Sequence, residues 1–176
     1  MVLTLDDLSP GWSPKGTWEW LTGVISPREP WTARARAAGS RTLVVGFRFD
    51  SDNWTTVFSE AAPLVSSEDA ELAFPTVADR MLKNRSRKVK VRGREIVTLE
   101  TTIGDEQACH LLLTENSRRP GINGENYQLF WRTGNVIALL NVSGEEGTWH
   151  ATDLAALAAN QDARIRTALA GFRPEH

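Results

Sequence analysis

From Arg41 the chain alternates. Leu43, Val45, Phe47 and Phe49 take one parity, and Thr42, Val44, Gly46 and Arg48 the other. That period of two predicts a strand with one strongly apolar face. Asp50-Ser51-Asp52-Asn53 reads as the turn that ends it. A second extended run covers Trp54 to Val65, with Pro63 marking an edge or irregular stretch. The spacing then changes to three and four. Ala70, Phe74, Val77, Met81 and Leu82 share a helical face, Ser66 stands at the cap, and Glu68, Asp69 and Glu71 sit where the helix dipole favours negative charge. A helix is therefore predicted over about 66–83. Pro75 lies inside it and is expected to kink it or split off its first two turns.

The second half is richer in strands. Val89 and Val91 alternate with basic residues, and Arg94 to Glu100 resumes after a turn at Gly93. Ile103-Gly104-Asp105-Glu106 turns the chain into Gln107–Thr114. A polar loop at Asn116–Glu125, with Pro120, Gly121 and Gly124, is long enough for a binding loop. Tyr127 to Arg132, Thr133-Gly134-Asn135, and Val136 to Val142 form the clearest hairpin. A final helix is predicted over about 152–170, capped by Thr152 and ended by Gly171. Its buried stripe is Leu154, Leu157, Ala158, Ile165 and Leu169, while Asp153, Gln161, Asp162, Arg164 and Arg166 face water. In the first forty residues, Pro10, Pro14, Pro27 and Pro30 preclude long helices and predict short extended pieces packed on the body. This order implies one α+β domain over 1–176, a largely antiparallel sheet with two main helices packed on it.

Composition narrows the class. The chain has 176 residues, 41% apolar and 24% charged, as one ordinary globular core requires. A net charge of −2 argues against a general nucleic-acid binder. No apolar run approaches the roughly 18 residues of a membrane span. Cys109 is the only cysteine, so no intramolecular disulfide and no cysteine-rich metal site is expected. Met1-Val2-Leu3-Thr4 has neither a charged nor an apolar region of a signal peptide. The expectation is a cytoplasmic protein, or else a mature extracytoplasmic domain that has lost its export signal.

Candidate chemistry is sparse. Cys109 with His150 supplies the residue types of a hydrolase thiol–imidazole pair, whereas Cys109 and His110 point to opposite faces of one strand. A small buried hydrophobe is the plainer reading of Cys109. No metal site or cofactor is expected: Asp50-Ser51-Asp52-Asn53 lacks the remaining positions of a calcium loop, and no glycine run matches a phosphate-binding loop. Glu95, Glu100, Asp105 and Glu106 are carboxylates without a spacing that pairs them for glycoside hydrolysis. Between Arg80 and Arg94 lie eight basic residues and no acid, leaving 12 basic against 22 acidic elsewhere. Arg85, Arg87, Lys88, Lys90, Arg92 and Arg94 would dock on an anionic lipid, wall polymer or nucleic acid, or simply solvate an edge strand. Four of the seven tryptophans, Trp12, Trp18, Trp20 and Trp31, fall in the first forty residues. With Asn123 and Asn126 they are the candidate ligand-binding residues, because aromatic platforms take sugars and apolar ligands.

Several segments together resemble actinobacterial-type exported lipoproteins and sensor-like domains, in the style of the extracellular sensor domain of mycobacterial serine/threonine kinases. They are Leu3 to Trp12, Ser67 to Phe74, Ile103 to Ala108, Phe130 to Ala138, Leu154 to Ala158 and Asp162 to Ile165, in that order along the chain. The resemblance implies an antiparallel sheet flanked by helices, a place outside the cytoplasm, and a non-enzymatic ligand-binding or sensory role toward a small or polymeric ligand. It carries over no catalytic residues. The kinase domains carry disulfides, which one cysteine does not provide.

Overall fold

The computed structural model describes residues 1–21, 29–83, 90–115, 121 and 123–171. Seven strands form one antiparallel sheet: β1 Trp12–Leu21, β2 Arg41–Phe49, β3 Asp52–Pro63, β4 Lys90–Val97, β5 Glu106–Glu115, β6 Asn123–Thr133 and β7 Val136–Glu145. Their order is β1-β2-β3-β7-β6-β5-β4. Three helices, α1 Pro30–Ala37, α2 Ser67–Lys83 and α3 Ala151–Gly171, complete the α+β fold. Two of them match the predicted pair. The third, α1, sits where extended pieces were expected: Pro30 at its start supplies a preset φ and no surplus donor, so the proline that discourages a helix interior begins this one.

The sheet is covered on both sides. Along the β6–β7 hairpin, Leu129, Trp131, Val136, Ala138, Leu140 and Val142 pack toward α3. Phe130, Ile137 and Leu139, of the opposite parity, pack under α1 and α2 with Trp31, Phe74 and Val77. A strand covered from both sides loses the simple alternation of a half-buried one. This is why Val44 is buried as well as Phe47.

Four local expectations are corrected. β3 is an interior strand between β2 and β7, and Pro63 is its last residue, opposite Val136, where a missing donor does no harm. α2 runs through the exposed Pro75 without a break. On α3, Gln161 and Asp162 are buried instead of solvated: the Gln161 amide donates to the Glu60 carbonyl at 2.8 Å, and Thr133 donates to Asp162. Finally, α3 starts one residue early. The His150 amide donates to the Asp153 carboxylate at 3.0 Å, which makes His150 the cap in place of Thr152.

Ion pairs pin the layers together. Arg34 of α1 donates through Nε to buried Asp69 of α2 at 3.0 and 3.1 Å. Buried Arg132 meets Asp105 at 3.2 Å and Glu106 at 3.0 Å. Gly104 makes the tight turn before β5 with φ +67, and a Cβ there would lie 2.3 Å from the Arg132 carbonyl oxygen. Only glycine fits.

Two stability outcomes follow. Leu140 is fully buried and Leu72 on α2 is 62% exposed, so in urea unfolding Leu140→Ala should lose about 2–5 kcal/mol and Leu72→Ala stay within about 0.5 kcal/mol. Glu60 lies on the α1–α2 side of β3 between Leu139 and Val44, and burial pushes its carboxyl from an ordinary 4.5 up to about 7. An acid raised in the folded state favours folding most below its unfolded value. That advantage is lost as pH climbs from about 4.5 through about 7, on the order of 3 kcal/mol. The urea midpoint of the wild type should therefore fall relative to that of Glu60→Gln between pH 5 and pH 8, a difference that leaves aside the opposite contribution of buried His110.

Candidate functional site

The two faces of the sheet divide the aromatic residues. Trp12 stands opposite Phe49 on the α3 side. Trp18 lies on the other side, stacked toward Phe58 with ring centroids 6.2 Å apart and 39% exposed. Trp31, on α1, is buried in the α1–α2 core. The backbone of Trp20 pairs with Thr42. The four tryptophans of the first forty residues therefore do not make one platform.

A pocket of about 550 Å³ opens on the α3 side, between the first residues of the chain, the β2–β3 turn and the start of α3. That is within the usual size of small-molecule sites, roughly 300–1,000 Å³. Its wall is aromatic. Trp12 meets Phe49 at 5.4 Å and an interplanar angle of 62°, and Trp149 at 5.8 Å and 43°. Leu8 and Leu157 extend the apolar lining, and Ser51, Thr55 and Thr148 bring hydroxyls. Among the described residues, Asp7 and Asp153 are the charged side chains that line it, with no lysine, arginine or histidine. Burial alone would raise the Asp7 carboxyl, but the Thr4 amide and Arg164 outweigh it and hold it below the ordinary carboxylate range. Arg164 approaches Asp7 at 3.1 Å.

Each wall residue has an identifiable support. Gly11 takes φ +97, and a Cβ there would lie 2.9 Å from the Phe49 ring, so its bareness lets that ring lie against the chain just before Trp12. The Asp50 amide donates to the Gly11 carbonyl at 2.8 Å and Ser13 donates to the Asp50 carboxylate, tying the β2–β3 turn to β1. Buried Glu125 of β6 accepts from the Trp149 amide at 2.6 Å and from the Gly147 amide at 3.0 Å. The Trp149 indole donates to the Ser143 carbonyl at 3.2 Å. One internal carboxylate thus fixes the loop that carries the third ring.

The other candidates sit elsewhere. Asn123, expected in the polar loop, belongs to β6 with Asn126; Asn123 is exposed, while Asn126 joins an amide chain on the α1–α2 side. There Gln128 donates to Asn126 at 3.0 Å, and Asn126 to Asn141 at 2.6 Å. His110 is the cross-strand neighbour of Gln128; burial lowers its pKa, and neither ring nitrogen has a hydrogen-bond partner. Of the basic stretch, Arg85, Arg87 and Lys88 lie outside the described residues. Lys90 pairs with Glu115 at 2.8 Å and Arg92 with Glu146 at 2.6 Å, which leaves exposed Arg94 on the edge strand. Cys109 is buried in the α3-side core, and burial pushes its thiol up to about 12, the reverse of an activated nucleophile. His150 is exposed at the head of α3. Among the described residues no cluster of histidine, cysteine or carboxylates could hold a metal ion, and no helix is long and apolar enough to cross a membrane.

Of the pocket's lining, Trp12 was among the residues the sequence singled out; Phe49, Trp149, Asp7 and Asp153 were not. Trp149 carried a faint signal, a single large aromatic in the polar connection from Ser143 to His150. Its dependence on Glu125 is testable. Glu125→Ala should cost about 1–3 kcal/mol and shift tryptophan emission to the red, because the part-buried amides of Gly147 and Trp149 lose their charged acceptor.

Comparison with known proteins bears on the fold. The chain is similar to the crystal structure of the extracellular domain of PknH from Mycobacterium tuberculosis, with TM-score 0.55 and 13% identity over 89% of this chain and 87% of that one. No family model and no curated protein matches it. At that identity the likeness is one of fold, and it agrees with the sheet flanked by helices that the resemblance to kinase sensor domains implies.

Proposed function

We propose that this protein is a non-enzymatic, extracytoplasmic sensor-like domain that takes a small ligand into the pocket walled by Trp12, Phe49 and Trp149. The observation that carries the reading is the pocket itself, about 550 Å³ with the rings of Phe49 and Trp149 inclined to that of Trp12 and a few polar groups in its lining. Preformed sites of that make-up are where small ligands bind. The fold likeness to an extracellular domain supports the sensory role and the compartment. Against catalysis stands Cys109, a buried thiol pushed up to about 12. The pairing of Lys90 and Arg92 with acids weakens the rival idea of a basic docking strip.

A thermal-shift screen of small metabolites tests the reading. A ligand held at a hundred times its dissociation constant should add about 2.7 kcal/mol of stability. Ala156 lines the pocket from the exposed side of α3, so Ala156→Trp should fill the space while changing stability by no more than about 0.5 kcal/mol. It should abolish the ligand-induced shift. A shift that survives Ala156→Trp would place the ligand elsewhere and end the proposal.

A further inference from the structure

The chemistry of the pocket, taken as the ligand site proposed above, narrows the class of ligand. The rings of Trp12, Phe49 and Trp149 are inclined by 43° and 62°, so they form a corner and not a flat shelf. A sugar ring stacks best on one broad face. A compact cation gains from several inclined faces, each presenting the negative side of its ring quadrupole within about 6 Å. Phe49 and Trp149 lie with their centroids 5.4 and 5.8 Å from that of Trp12, and all three rings line the same pocket.

The charges point the same way. Both ionisable groups lining the pocket are carboxylates, Asp7 and Asp153. Asp7 is balanced by Arg164, which does not itself line the space. Asp153 accepts the His150 amide at 3.0 Å and keeps a second oxygen beyond that bond. Among the described residues no cation lines the space, so an anionic ligand would meet an unbalanced carboxylate, whereas an ammonium would be attracted.

We infer that the pocket takes an organic ammonium ion, a quaternary or methylated amine of about choline's size, held against the rings of Trp12, Phe49 and Trp149 with Asp153 as its counter-charge. The inference rests on the pocket being the ligand site, and the test separates the two claims.

Tryptophan fluorescence of the full chain is titrated with choline, with its uncharged isostere 3,3-dimethylbutan-1-ol, and with glucose. The expected result is saturable binding of choline at least ten-fold tighter than of the isostere, with glucose weaker still. Asp153→Asn keeps an oxygen for the His150 amide, so α3 stays capped. That variant should weaken choline several-fold and leave the isostere unchanged. Equal affinity for choline and the isostere, preference for glucose, or no binding of choline at millimolar concentration each overturns the ammonium assignment. In those cases the pocket stands or falls separately, by whether a shift found with another ligand is lost in Ala156→Trp. Choline binding that persists in Ala156→Trp overturns both claims together.

Discussion

Burial of the β6–β7 hairpin from both sides is the constraint on which the rest of the structure depends. Leu129, Trp131 and Leu140 are driven toward α3, while Phe130 and Leu139 are driven under α1 and α2. A slip of one residue in register would exchange these sets and bury neither correctly. Because the hairpin is fixed, so are its neighbours. β3 pairs with β7 from Thr56 to Pro63 and β5 pairs with β6 from Glu106 to Glu115, which extends one continuous register across β3, β7, β6 and β5, with shifts in the pairings beyond them. The same parity rule decides which aromatic residues can meet. Trp12 falls on the side of α3 and Trp18 on the side of α1 and α2, although six residues separate them, because the register shift between Pro14 and Gly16 inverts the parity of β1.

The pocket forms where the α3-side core runs out. α3 covers the middle of the sheet through Leu154, Leu157, Ala158 and Ile165. Near its first turn, the sheet ends in the β2–β3 turn and the start of β1, and the space between is closed by Trp12, Phe49 and Trp149 rather than by aliphatic packing. A carboxylate inside the body of the protein, Glu125, holds the Trp149 loop by its amides. Preorganisation of this kind lowers the entropic cost of binding, because the rings need not be ordered by the ligand.

Much of the fold was legible because it is written in local periodicity. The alternation through β2, the hairpin at Gly134, the face Ala70–Phe74–Val77 and the stripe Leu154–Leu157–Ala158–Ile165 all repeat at the period of the element they form. What escaped depended on distance. Gln161 and Asp162 read as solvated, since their partners, Glu60 and Thr133, lie 101 and 29 residues away. α1 was missed because Pro30 works as a helix starter only once the chain beyond it is known to turn. The site was less legible still. Clustering along the chain grouped Trp12 with Trp18 and Trp31, which the fold separates, whereas the ring partners of Trp12 in the pocket, Phe49 and Trp149, stand 37 and 137 positions further on. Nothing in one dimension ties Glu125 to the Trp149 amide.

The most direct test is the set of indole N–H resonances, one from each of the seven tryptophans, followed by two-dimensional NMR as choline is added. The account predicts that the Trp12 and Trp149 signals move together along one saturation curve while those of Trp31 and Trp131, each held in a core, stay still. Movement confined to Trp18, on the opposite face of the sheet, or a titration that leaves Trp12 and Trp149 untouched, would contradict it.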